Sequence, residues 1–168
     1  MAGGFKNFGP TYKTTDIIRL GYEGTLNGAH PVSASIVEAA KNGNEDLAGK
    51  IAAMKEDGVG LAEEGGKGAI GLFSEDLQDM INASFKASFY FRGGEYYVQA
   101  DRTAVAEDAV VGDKLTTDAE GKLTVSKSET DTVVGVITHI GGYTAGNMFE
   151  HAGEAANGGK YIGFIMYI

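Results

Sequence analysis

Cysteine is absent from this chain, which removes disulfide bridges and thiolate metal ligation together and leaves the redox compartment open. Tryptophan is absent as well, and its loss counts against a platform for stacking sugars. No apolar run approaches the length of a membrane span, so no membrane partner is expected. The opening Met1-Ala2-Gly3-Gly4-Phe5-Lys6 lacks the apolar stretch of a secretion signal, and synthesis in a cytoplasm is the expectation. Cations are scarce: 14 Lys and Arg face 23 Asp and Glu, a net charge of −9. Such a surface repels phosphate backbones, so no nucleic acid is expected as a partner. Acidity of this size also simply keeps a protein in solution. The imbalance is uneven, because residues 1–22 hold Lys6, Lys13 and Arg19 against Asp16, a local balance of +2 that leaves −11 for the remainder.

What is present is a chain of 168 residues, enough for one domain or at most two small ones with a real core. Hydrophobic residues make up 43% and the mean hydropathy is −0.12, a globular composition. Glycine, at 26 residues, is about twice its usual share, so turns must be numerous.

Three of these glycines recur in matching contexts. Gly49, Gly58 and Gly71 correspond to Gly112, Gly121 and Gly135, the first two pairs offset by 63 residues and the third by 64. Both stretches read as a β-hairpin followed by a buried strand, with Lys55-Glu56-Asp57-Gly58 and Asp118-Ala119-Glu120-Gly121 as turns and Ala69 to Phe73 as the strand of the first. Duplication and coincidence both account for a match this sparse.

Between and around these units the pattern is mostly β. Asp16 to Leu20 and Gly21 to Leu26 read as strands broken by glycine, with His30-Pro31 as a turn. Ser35 to Lys41 suits a short helix closed by Asn42-Gly43, while Val32 to Val37 suits a strand equally, and the strand is preferred at the start. Ser74-Glu75-Asp76-Leu77 reads as a capped helix start, with Leu77, Met80 and Ile81 at helical spacing. Phe85 to Arg92 and Glu95 to Ala100 flank Gly93-Gly94 and predict an aromatic hairpin, with core packing its first role. A loop from 141 to 159 leads to the apolar end Lys160 to Ile168, which must be a central strand or part of a subunit interface. Residues 1–15 mix glycine and Pro10 with Phe5, Phe8 and Tyr12, an extended arm that folds back on its own body or crosses a neighbouring subunit.

Chemistry-bearing motifs fail on spacing. Gly65-Gly66-Lys67-Gly68 lacks the first glycine and the hydroxyl residue of a phosphate loop, since Leu61 and Gly68 occupy those places. Asp118 to Gly121 lacks the alternating ligands of a calcium loop and is read as a turn. His30, His139 and His151 have no zinc spacing, and Glu150, His151 and Glu154 sit among glycines that would hold them loosely. Asn82-Ala83-Ser84 is a glycosylation sequon in letters only, and no serine sits in a nucleophile elbow. No catalytic, cofactor-binding or metal-binding residue is assigned, no cofactor is expected, and the chain is read as a non-enzyme.

The stretch Val110-Val111-Gly112-Asp113-Lys114-Leu115, the turn to Gly121-Lys122-Leu123-Thr124, and Thr132-Val133-Val134-Gly135-Val136-Ile137 resembles the β-barrel units of tailed-phage capsid decoration, or cement, proteins. About 30 residues carry the resemblance, with a weaker echo at 49–73. It implies a structural virion protein made in the host cytoplasm, bound to the major capsid protein on the outer shell as a homo-oligomer, a trimer in preference to a dimer. The long aromatic segment 85–100 and the loop 141–159 depart from a minimal member of that family. Phe5, Phe8 and Tyr12 of the arm and Tyr161, Ile162, Phe164, Ile165 and Tyr167 of the apolar end are then the candidate interface residues.

The expected architecture is mainly β: a small β-barrel or sandwich of two related hairpin units at about 45–74 and 108–138, with one or two short helices. An arm over 1–18 precedes a body over 19–168. The alternative from another class is a carbohydrate-binding or host-adhesion module with Tyr90, Tyr96, Tyr97 and Tyr143 as its platform; a small enzyme with an unrecognised site is the third.

Overall fold

A computed structural model describes residues 17–21, 24–42, 46–74, 76, 86–91, 93–142 and 160–168. The described residues are mainly β. In chain order they form β1 (Ile17–Gly21), β2 (Gly24–Pro31), the helix α1 (Ala34–Lys41), β3 (Ile51–Lys55), β4 (Gly58–Leu61), β5 (Ala69–Phe73) and β6 (Lys86–Phe91). There follow β7 (Glu95–Gln99), β8 (Lys114–Thr117), β9 (Leu123–Val125), β10 (Gly135–Gly142) and β11 (Lys160–Met166).

The strands make two antiparallel sheets, ordered β2-β6-β5-β3-β4 and β1-β7-β11-β10-β8-β9. Among the described residues neither order closes on itself, and the two sheets face each other as a small sandwich. Counted along the chain, β2 to β6 and β7 to β11 follow one topology: the first strand pairs the fifth, the fifth the fourth, the fourth the second, and the second the third. β1 is an addition to the edge of the second unit, where Ile18 pairs Tyr97.

The correspondence extends to single hydrogen bonds. Gly49 N donates to Phe73 O at 3.0 Å and Gly112 N to Ile137 O at 2.9 Å; Phe73 N returns to Lys50 O and Ile137 N to Asp113 O, both at 2.9 Å. Gly49 and Gly112 hold φ of +90° and +98°, where a side chain would be strained. Gly71 and Gly135 serve a different need. A Cβ on Gly71 would lie 2.1 Å from Tyr90 O and 2.9 Å from the Phe89 ring; on Gly135 it would lie 2.5 Å from Ile165 O and 2.9 Å from the Phe164 ring.

Side-chain alternation then sorts the core. Ile51, Ala53, Leu72 and Tyr90 of the first sheet meet Tyr96, Val98, Leu115, Leu123, Ile137, Ile162 and Phe164 of the second. The opposite face of the first sheet, with Ala52, Phe73, Ala87 and Phe89, is covered by Ile36 of α1 and by Val32 and Leu47. The β-ladder makes Ala52 the counterpart of Leu115, because Ala52 pairs Gly71 and Leu115 pairs Gly135. Yet Ala52 lies under the helix while Leu115 lies between the sheets. The two units therefore stack in the same orientation, the back of one on the front of the next.

Two expectations change. The segments around Gly93-Gly94 form strands but not a hairpin: β6 pairs β2 and β5, while β7 pairs β1 and β11. Both glycines hold positive φ and turn the chain from one sheet to the other, so Tyr90 and Tyr96 meet across the core with ring centroids 5.3 Å apart. Ala34 to Lys41 is helical where a strand was preferred at its start; the Asp57 carboxylate, from the β3–β4 turn, accepts from Ala34 N at 2.7 Å and holds the helix N-terminus. Val32 keeps only an isolated bridge to Val59. The anticipated helix after Ser74 and the loop 143–159 lie outside the described residues.

Candidate functional site

The second unit carries an unusual exposed feature at its head. Val110 and Val111 are 59% and 62% exposed in a turn closed by Asp113 N donating to Val110 O at 3.1 Å. The Asp113 carboxylate accepts from Val110 N at 2.9 Å, so the turn is fixed from both ends. No described residue lies within 4 Å of a Cβ built on Gly112.

The counterpart turn in the first unit has the opposite fate. Leu47 and Ala48 are 4% and 1% exposed, with Lys50 N closing the turn on Leu47 O at 2.9 Å. There Asp76 Oδ1 accepts from Leu47 N and Ala48 N at 3.0 and 2.9 Å. A Cβ on Gly49 would sit 2.7 Å from Val98 and 3.8 Å from Arg102 of the second unit. Within one chain, the same turn is thus seen docked once and free once.

Burial pushes the Asp76 carboxyl up, but hydrogen bonds from Arg102 and from the Ala48 and Leu47 amides outweigh it and hold the group below its ordinary range. Near the second hairpin turn, Gly121 O accepts from Ile51 N at 2.8 Å, joining the units. Lys50 lies here; burial and the Lys122 ammonium lower its pKa, against the raising effect of Glu120, Asp46 and Asp118.

Few other groups are arranged for chemistry. Among the described residues no cluster of three or more His, Asp or Glu is placed to hold a metal. His139 Nε2 meets Gly142 O at 3.1 Å and its ring packs 5.5 Å from that of Tyr97. Asp118 Oδ1 accepts from Glu120 N and Lys122 N, both at 2.9 Å, and so makes the turn. Gly66 N donates to Thr117 Oγ1 at 3.0 Å, so the glycine cluster 65–68 serves to join the units. A shallow depression of about 380 Å³ is lined by Lys114, Ser126, Glu129 and Asp131, among others; Asp131 Oδ2 accepts from Ser126 Oγ at 2.9 Å and from Lys127 N and Ser128 N at 3.2 Å, so that carboxylate braces its own loop.

The proposed interface residues separate. Phe5, Phe8 and Tyr12 lie outside the described residues. Tyr161, Ile162 and Phe164 are at most 2% exposed on a central strand, and the latter two fill the core between the sheets, where no partner reaches them. Ile165 and Tyr167 are 43% and 60% exposed. Tyr90, Tyr96 and Tyr97 are no more than 9% exposed and form no open stacking platform, and Tyr143 and His151 lie outside the described residues. Nothing in the sequence pattern marks Val110 and Val111 as surface groups, although the glycine register aligns them with Leu47 and Ala48. No known family model matches the chain, and no curated protein matches it.

Proposed function

We propose that this is a structural virion protein that binds the outer surface of a tailed-phage capsid and cements or decorates the shell, with the major capsid protein as its partner. The observation that carries the reading is the coincidence of two independent features in residues 110–137. That stretch bears the resemblance to decoration-protein units, and its head is the rigid turn presenting Val110 and Val111 to solvent. Two adjacent exposed valines gain nothing in water, whereas an apolar tip on a braced turn suits a shallow pocket on a partner.

The duplicated architecture supports the same role. In the counterpart turn Ala48 is buried in the core shared with the second unit, while Leu47 is buried on the far face of its own sheet, under the helix, so a turn of this type can bury at least one of its two tip residues against a β surface. A shell under internal pressure is held by many small contacts of this kind and needs no reactive group.

Co-sedimentation with shells of the phage that encodes the protein tests the reading. Wild type should pellet with the shells to a fixed stoichiometry. Recovery entirely in the supernatant contradicts the proposal.

A further inference from the structure

The outer face of the six-stranded sheet, opposite the inter-sheet core, carries one cross-strand row of unusual composition. Ile165 of β11 pairs Glu95 of β7 on one side and Val136 of β10 on the other, and Val136 pairs Lys114 of β8. Their chain neighbours Tyr96, Phe164, Ile137 and Leu115 all point into the core, so alternation places these four side chains together on the far face. The row reads acid, aliphatic, aliphatic, base. Its ends are three strand spacings apart, about 14 Å.

This row is exposed and fixed. Ile165 is 43% exposed, Lys114 is exposed and Glu95 and Val136 are half-buried. Thr138 Oγ1 and the Tyr97 hydroxyl donate to Glu95 Oε1 at 3.1 and 3.4 Å, which sets the carboxylate in place. Lys114 makes no ion pair with another described residue. Tyr167, two residues beyond Ile165 and 60% exposed, extends the apolar surface.

We propose that this face pairs with the same face of a second copy of the chain, about a twofold axis parallel to the strands and running between β10 and β11. Rotation about that axis reverses the row. Glu95 then faces Lys114 of the second copy, Ile165 faces Val136, and each contact occurs twice. An axis across the strands would instead set Glu95 against Glu95 and Lys114 against Lys114, so charge selects the first arrangement. A partner of a single sign satisfies only one end of the row, whereas a second copy satisfies both. The twofold contact differs from the threefold assembly implied by the family resemblance, and it stands whether or not the protein binds a capsid.

Sedimentation equilibrium of the full chain over a wide concentration range tests the contact. Wild type should show a concentration-dependent dimer that weakens as salt is raised. Glu95→Lys and Lys114→Glu should each weaken it at least about tenfold, since like charges meet twice. An equimolar mixture of the two variants should recover the dimer, because each position then meets its opposite sign in the mixed pair. Recovery on mixing also shows that neither variant has merely lost its fold. A monomer at every concentration, an assembly of any size insensitive to both reversals, or a mixture no stronger than either variant alone overturns the proposal.

Discussion

Arg102 and Asp76 clasp the two units together through a two-pronged ion pair, Nη1 to Oδ1 at 2.8 Å and Nη2 to Oδ2 at 3.1 Å. Arg102 follows β7 of the second unit and Asp76 follows β5 of the first, and Arg102 also donates to Ala48 O at 3.2 Å. The pair therefore braces the turn on which the first unit docks. About a fifth of each side chain remains exposed, which moderates the cost of losing it. Arg102→Ala should destabilise the fold by about 2 kcal/mol, read as a lower urea midpoint with an unchanged slope. An unchanged midpoint would remove the clasp from the account.

The same pair sets an acid dependence. The folded pKa of Asp76 lies below its ordinary value of 3.8, so its contribution is complete above that value and is lost as pH falls through the folded one. Wild type should lose more stability between neutral and acidic pH than Asp76→Asn does. Parallel stability curves for the two proteins would contradict this.

Gly71 and Gly135 hold corresponding places against a neighbouring strand, and neither can accept a methyl group without moving a backbone carbonyl. Gly71→Ala and Gly135→Ala should each cost about 3 kcal/mol or prevent folding. Gly112→Ala, which adds its methyl group to open space at φ +98°, should cost about 1 kcal/mol from backbone strain alone. Thermal unfolding of the three variants checks the order, and equal losses would refute the close-approach argument.

Lys50 is 7% exposed, and burial lowers its pKa. The unfolded chain holds this proton to higher pH than the folded one, so stability rises with pH as the folded and then the unfolded group titrates. Lys50→Met should raise the urea midpoint at neutral pH. A drop would show that the surrounding acids Asp46, Asp118 and Glu120 hold the ammonium more firmly than burial disfavours it.

Val110 and Val111 separate stability from function. A double Val110→Asp, Val111→Asp variant should unfold within about 0.5 kcal/mol of wild type, because both side chains are already in water. Its shell binding in co-sedimentation should fall sharply. Full binding by a folded variant would move the contact away from this turn.

Much of the architecture is legible in the glycine register, because close approach and positive φ admit so few other residues. Gly71 and Gly135 marked strands packed tightly on a neighbour, and Ala69 to Phe73 is a strand with those bounds. The Gly93-Gly94 segment misled because a two-residue glycine turn has the same letters whether its strands pair or part. Only the second partners, Phe89 with Leu26 and Tyr96 with Phe164, decide the matter, and they are distant in sequence. The apolar end of the chain was legible as buried, but whether by its own core or by a subunit depended on β7 and β10 flanking it. Val110 and Val111 went unread because exposure depends on what docks there, and composition alone makes them core residues.

Electron cryomicroscopy of shells incubated with the protein tests the capsid reading most directly. The account predicts regularly placed density on the outer surface that fits the two-sheet body, with the Val110–Val111 turn at the contact with the major capsid protein. Bare shells at saturating protein, or density whose contacts leave that turn in solvent, would contradict it.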